Sequence, residues 1–318
     1  RKVVKNAVRG EDFKAAATSS SRSLLVWTPG KEREAFFAKL SLDATIGEVV
    51  RTIPKGEVAR SVGINNLLAA EGAALPKSFK TIPEVLGIMP KDMERGGMIV
   101  RSIPQEIQEG HTRVVPLFSL YADAKLGEPP LLVDMIRRSG MKGEKFIRTK
   151  ILRPFIKQWL DLAINRGIVM EAHAQNVLLE LGADAQPTGS FFHRDFGGFN
   201  VNFGYRKKRR LPSADLPIIT SREKDYHTHS HVAALKESLY TFFIGGFVNN
   251  IDVNFPKWVE AGWIKTSRNP ARFEDILQDE FESAYRRMTG LTADIRGDFR
   301  NAASAVLKAR KNILQPRG

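Results

Sequence analysis

Between Gly167 and Gly198 the chain reads GIVMEAHAQNVLLELGADAQPTGSFFHRDFGG, a stretch carrying Glu171, His173, Gln175, Asn176, Arg194 and Asp195. These types can bind, charge or deprotonate a substrate, provided the fold brings them together. The spacing predicts how it does so. Val177–Leu181 and Ser190–Arg194 are strand-like runs, and Gly182, Asp184, Pro187 and Gly189 mark a turn between them. Symmetric pairing sets Leu181 opposite Ser190 and Asn176 opposite Asp195, returning Glu171, His173 and Gln175 to the same end. An Asn beside an Asp offers two hard oxygen ligands, the pattern that suits Mg²⁺ carrying nucleotide phosphates.

A second set lies near the start: Ser20, Arg22, Ser23, Lys39 and Arg51. Leu24–Trp27 and Ala35–Leu42 read as strands joined at Thr28-Pro29-Gly30, with Phe37, Lys39 and Ser41 sharing one face. Pairing Trp27 near Glu34 brings Arg22 to Lys39 and Ser20 to Ser41. Two cations facing each other across strands repel. A polyanion between them accounts for the placement; two solvent-facing bases on an amphipathic strand account for it equally well.

The elements that hold these residues follow from patterning. Residues 18–103 read as a mainly antiparallel sheet with a helix from Val58 to about Glu71 and strands at Glu84–Met89 and Gly97–Ile103. From about Leu131 the chain turns helical, with Leu152, Phe155, Ile156, Trp159, Leu162 and Ala163 at the spacing of one buried face and Gly167 as a stop. Buried or amphipathic helices are expected over Val232–Asn249, Asn269–Met288 and Thr292–Ile313. The fold class is α+β: a sheet domain over 1–130 carrying phosphate-binding residues, then a mainly helical domain over 131–318 carrying the hairpin.

A basic sheet followed by a helical lobe with a metal hairpin is a kinase-like layout, in which Lys39 holds phosphates, His173-Ala174-Gln175-Asn176 is the catalytic loop and Asp195-Phe196-Gly197 binds metal. A kinase also needs a carboxylate base just ahead of that Asn. This chain has Gln175 there, and Glu171 is the nearest acid. A nucleophile already anionic at pH 7 needs no base. The substrate that fits is an organic acid attacking ATP.

Composition narrows the classes. The 318 residues are 42% hydrophobic and 26% charged, with no cysteine, which excludes disulfides, thiolate zinc sites and cysteine nucleophiles. No apolar run has the length of a membrane span and no signal peptide is visible, so a cytoplasmic protein is expected. The net charge of +14 fits a basic surface and a pocket for small polyanions better than nucleic-acid binding, because no nucleic-acid module accompanies it. The longest basic run, Arg206–Arg210, is expected in a solvated loop. His227, His229 and His231 have metal-ligand spacing but no fourth ligand, and read as incidental loop residues; His193 reads as structural. Arg194 has two readings, a structural ion pair or a substrate contact. Lys308 and Arg310 read as a solvated helix face, with contact to the substrate as the alternative. The chain opens on Arg1 and is expected to be the later part of something longer.

Three segments together resemble the NRPS-independent siderophore synthetases, the group that includes aerobactin synthetase. They are Ser20-Ser21-Arg22-Ser23, Lys39-Leu40-Ser41-Leu42 through Arg51, and Glu171-Ala172-His173-Ala174-Gln175-Asn176 with Arg194-Asp195. The resemblance implies thumb, fingers and palm regions, the last two kinase-like. It also implies an enzyme that adenylates citrate or a related acid with ATP and Mg²⁺ and passes the acyl group to an amine or hydroxyl. By that pattern Ser20, Arg22, Ser23, Lys39 and Arg51 hold the triphosphate. His173 and Asn176 lie at the nucleotide and acid, and Asp195 is on Mg²⁺ with Asn176. Arg51 and His173 also bind the acid, and Glu171 and Gln175 face the second substrate. A homodimer is common in such enzymes. Ala174 replaces the usual Gly and Ser23 the usual Thr, and the family's preceding segment, with its His-Pro-rich loop, has no counterpart here. Two other readings stay open: a small-molecule kinase, or a catalytically silent nucleotide-binding protein.

Overall fold

The computed structural model describes residues 12–18, 20, 22–46, 49–122, 128–212, 229–293 and 301–315, with residues 49 and 229–231 described by backbone alone. The first half builds an antiparallel sheet. Its strands are β1 (Lys14–Ala17), β2 (Ser23–Thr28) and β3 (Lys31–Leu40), with a short ribbon of β4 (Thr45–Ile46) and β5 (Val49–Val50) beside them. After helix α1 (Lys55–Glu71) come β6 (Phe79–Thr81), β7 (Glu84–Ile88) and β8 (Met98–Ser102). The main sheet runs β1-β2-β3-β8-β7. Gly30, at φ +82°, makes the β2–β3 turn that a side chain would strain.

The register of β2 on β3 differs by one residue from the sequence expectation. Ser23, not Arg22, pairs with Lys39, and Arg22 lies opposite Leu40, whose N–H donates to the Arg22 carbonyl at 2.7 Å. A bulge between Val26 and Thr28 absorbs the residue that symmetric counting from Trp27 assigned to the ladder. Arg22 therefore leaves the strand and turns toward Arg51.

Helix α1 starts after Pro54, carries Glu57 in its first turn and stops at Gly72. Val58, Ser61, Ile64, Leu67 and Leu68 form its buried stripe. It lies so close to β7 and β8 that a Cβ on Gly97 would meet Val58 Cγ2 at 2.5 Å, and one on Gly87 would overlap Val58 Cγ1. The two glycines thus set how near Glu57 comes to Lys39.

A short helix α2 (Gln105–Gln108) leads to β9 (Arg113–Pro116), and helices α3 (Leu131–Ser139), α4 (Gly143–Ile147) and α5 (Arg153–Asp161) follow. Stretches of π-helix over Arg148–Leu152 and Leu162–Arg166 make α4 and α5 one continuous rod, which Gly167 ends in the left-handed conformation. Then come β10 (Ile168–Val169), β11 (Val177–Leu181), β12 (Pro187–His193) and β13 (Asn200–Val201). A second sheet has the order β6-β12-β11-β9, with β6 parallel to β12.

The β11–β12 hairpin forms, but its register also corrects the expectation. Val177 pairs with His193 and Leu179 with Phe191, so Asn176 faces Arg194, whose N–H donates to the Asn176 carbonyl at 3.1 Å. The strand begins at Pro187 rather than Ser190. The ladder shifts between Leu179 and Leu181, and Gly189 takes φ +89°. Asp195 lies one step past the ladder at φ +69°, which swings its side chain out of strand geometry.

The remaining helices are α6 (Phe203–Lys208), α7 (His229–Lys236), α8 (Asn249–Glu260), α9 (Phe273–Thr289) and α10 (Ala302–Leu314), with π-helix over Glu237–Val248 joining α7 to α8. One core unites α7 to α10 with α3 to α5; Phe155 stacks on Phe243 at 3.7 Å and Trp159 donates to Ser238 at 3.0 Å. The expected helices over 232–249 and 269–288 are present, and the segment 292–313 contains α10, with residues 294–300 outside the described set.

Two basic segments are corrected. Arg206 is not in a solvated loop: it sits on α6, 0% exposed, donating to Glu71 at 2.5 Å and to the Arg166 carbonyl at 2.6 Å. Arg310 is not on a solvated face: it is buried against the Tyr205 ring at 4.7 Å and donates through Nε to the Ala163 carbonyl at 2.8 Å. In both cases a buried carbonyl or carboxylate supplied the partner that makes burial tolerable. His227 lies outside the described residues, as do the side chains of His229 and His231. Among the described residues no helix is long and apolar enough to cross a membrane.

Candidate functional site

Strand β3, the loop before β2 and the open end of the hairpin converge on one cavity of about 260 Å³. Ser20, Arg22, Ser23, Lys39, Arg51, Arg101, Gln175, Asn176, Arg194 and Asp195 line it. Lys39, 2% exposed, is its centre of charge. Its ammonium donates to Glu57 at 2.9 Å and to Asp195, so α1, β3 and the hairpin loop meet on one nitrogen. Arg22 donates to the Arg51 carbonyl at 3.2 Å and lies 3.7 Å from Glu57. Ser20 is held by its N–H on the Thr18 hydroxyl at 3.1 Å, and Thr18 donates on to the Ser23 carbonyl at 2.8 Å.

Burial would raise the Asp195 carboxyl, but Lys39 and Arg101 outweigh it and hold the group down at about 2. It is an anion at any working pH. Glu171 goes the other way. Burial, reinforced by the Asp195 charge, pushes it up to about 7, while Asn176 donates to it at 3.2 Å. A Cβ on Gly198 would overlap Glu171, so the glycine makes room for that carboxyl. His173 stands below its ordinary value because of burial, against the pull of Asp195, and its Nδ1 accepts the Gln175 N–H at 3.1 Å. Nδ1 is therefore the unprotonated nitrogen.

Eight of the ten residues named from sequence line the cavity. Glu171 and His173 are not among its lining residues but border them, each hydrogen-bonded to one: Glu171 to Asn176 and His173 to Gln175. His193 is structural: fully buried, hydrogen-bonded to Gln158 at 2.9 Å and stacked on Phe79 at 4.9 Å. Arg194 lines the cavity and donates to the Gln175 carbonyl at 2.9 Å.

The fold has a counterpart. AsbB, the petrobactin biosynthesis protein of Bacillus anthracis str. Sterne, superposes with a TM-score of 0.60 at 18% identity, over 95% of this chain and 48% of its own. ATP-bound aerobactin synthetase IucA, from a hypervirulent pathotype of Klebsiella pneumoniae, gives 0.56 at 17% identity, over 85% of this chain and 48% of its own. Aerobactin synthetase IucC from the same source gives 0.60 at 16% identity, over 91% and 48%. This is a siderophore-synthetase fold. The chain spans about half the length of the synthetases it matches. No family profile and no curated protein sequence matches it.

Within this siderophore-synthetase fold, three residues that matter to the site escaped the sequence reading: Glu57, Glu84 and Arg101. Arg101 Nε donates to Glu84 at 2.7 Å, its Nη2 lies 3.5 Å from Asp195 Oδ1, and the second Glu84 oxygen accepts the Phe196 N–H at 3.1 Å. Against the burial of Arg101, Glu84 and Asp195 hold its guanidinium above the ordinary value. A signal was present: Arg101 shares a strand face with the buried Ile99, an inward position where a charge needs a partner.

The cavity suits Mg²⁺ as a companion of phosphate. Among the described residues no group of three His, Cys, Asp or Glu forms a cage. Asn176 and Asp195 bring an amide and a carboxylate oxygen to one space, and Mg²⁺ characteristically takes one or two such ligands with waters and substrate phosphates.

Proposed function

We propose that the chain acts as an ATP-dependent ligase of siderophore biosynthesis, activating citrate or a related acid as its adenylate and condensing it with an amine or hydroxyl. One observation carries this reading. A cavity lined by five cationic side chains and an Asn–Asp pair, with no acid between His173 and Asn176, sits on the siderophore-synthetase fold. The cations suit a polyphosphate. The missing base suits a nucleophile that is already an anion.

In this reading Arg22, Lys39 and Arg51, with the Ser20 and Ser23 hydroxyls, hold the triphosphate and offset charge gathering on the departing pyrophosphate. Asn176 and Asp195 hold Mg²⁺, which supplies further charge neutralisation on the phosphates. Arg51 and His173 orient the carboxylates of the acid, and Gln175 and Glu171 face the incoming nucleophile. The division at about residue 130 then separates most of the phosphate contacts from the metal hairpin. A second reading has its own support: Lys39 with Glu57, and Asp195 ahead of Phe196-Gly197, are the paired parts of a kinase, which would make ADP.

Phosphorus NMR of the chain with Mg-ATP, citrate and excess hydroxylamine, beside Asp195→Ala, tests the proposal. AMP and pyrophosphate that depend on citrate and vanish in the variant are expected. ADP and phosphate would transfer the site to the kinase reading. Mg-ATP binding with no turnover would make the chain a silent nucleotide binder.

A further inference from the structure

The chemistry above gives tasks to Arg22, Lys39 and Arg51 and leaves Arg101 idle. Yet Arg101 is 3% exposed, and a guanidinium is retained in such a place only where its donors are matched. They are matched on one side alone. Nε is taken by Glu84, and Glu84 cannot swing away because its other oxygen holds the Phe196 N–H. Nη2 is buried without a hydrogen-bond partner, 3.5 Å from Asp195 Oδ1, and the side chain lines the cavity. The rigid fork is thus pinned at one edge, and at the other its buried Nη2 lies at the cavity wall beside Asp195 with donor capacity unused.

Arg194 borders the same cavity, fixed by the Gln175 carbonyl. The two guanidinia thus line one space in which Asp195 is the single carboxylate among the lining residues. Two like charges held this way call for an anion between them.

The geometry points to Arg101 as an oxyanion-binding residue whose Nη2 takes a substrate oxygen in the space bounded by Arg101, Arg194 and Asp195. The oxygen belongs to a phosphate of the nucleotide or to a carboxylate of the acid; that identity rests on the synthetase reading, whereas the oxyanion site does not.

Calorimetric titration of the full chain with inorganic tripolyphosphate, Mg-ATP and citrate tests it. The variants are Arg101→Gln, Arg101→Lys and the paired Glu84→Gln/Arg101→Gln, which leaves no buried charge unpaired and guards against simple misfolding. Loss of one charge-assisted hydrogen bond predicts at least about a tenfold weaker Kd, for tripolyphosphate where the oxygen is a phosphate's or for citrate where it is a carboxylate's, in Arg101→Gln and in the folded double variant. Arg101→Lys should fall between, because an ammonium cannot serve Glu84 and the ligand with one fork. A loss for Mg-ATP assigns the oxygen to phosphate, and a loss for citrate alone assigns it to carboxylate. A folded double variant with wild-type affinity for all three ligands overturns the role of Arg101 and leaves the synthetase reading intact. Wild-type chain that takes tripolyphosphate through Arg101, yet neither Mg-ATP nor citrate, keeps the oxyanion site and removes the synthetase reading. Wild-type chain that binds none of the three overturns both.

Discussion

Lys39 joins Glu57 on α1 to Asp195 on the hairpin loop, so one ammonium both neutralises and positions the two carboxylates. Lys39→Met should therefore lower citrate-dependent AMP formation about a hundredfold, the scale on which a preorganised cation acts. Initial rates at saturating ATP check this; an unchanged rate would remove Lys39 from the phosphate set. His193 gives a pH prediction of a different kind. Burial holds its imidazole at about 3, while an unfolded histidine binds a proton near 6.5. Between those values the unfolded chain binds more protons, so His193 makes stability decline as pH falls from about 6.5 toward 3. Urea midpoints at pH 7 and pH 5 should differ less in His193→Gln than in wild type, even though the variant also loses the Phe79 stacking. Residue types and spacing made Lys39, Asn176 and Asp195 readable from sequence. Arg101 carried only its place on the inward face with Ile99, and Glu84 becomes its partner only once the two strands pair.

The element that sets the site's dimensions is α1, seated on β7 and β8 through Gly87 and Gly97. Gly87→Ala should push Val58 outward and carry Glu57 away from Lys39. We expect a loss of about 1–3 kcal/mol in stability, typical of overpacking, with weaker Mg-ATP binding. Val58→Ala in the same background should return part of both losses; chemical denaturation and calorimetry of the two variants measure it, and no rescue would mean the contact does not govern α1. The sequence foretold the helix, the strands and the hairpin, since periodicity and turn residues are local. It missed both registers by one residue because bulges at Val26–Thr28 and Leu179–Leu181 follow from how strands pack, which no local pattern encodes.

Across the whole molecule, Glu71 at the end of α1 is paired with Arg206 on α6 and lies 3.4 Å from Arg166 on the central rod. Arg206→Met leaves Glu71 buried beside a single partly exposed arginine and should cost about 3–5 kcal/mol, whereas Glu71→Leu/Arg206→Met together should restore most of it. Urea denaturation of the single and double variants decides; an equal loss in both would mean packing, not charge, is at stake. The basic run around Arg206 read as loop because charge runs are usually solvated and its partner lies 135 residues away. The second sheet has the same long reach: Phe79 of β6 lies beside Phe191 of β12. A ribosome adding about 5–20 residues per second releases β6 roughly 6–20 seconds before its neighbour exists. Through that interval the nascent chain carries an unpaired strand whose Phe79 has no cover from β12. Recovery of folded protein should therefore improve with chaperones that shield nascent strands, independently of how stable the finished fold is.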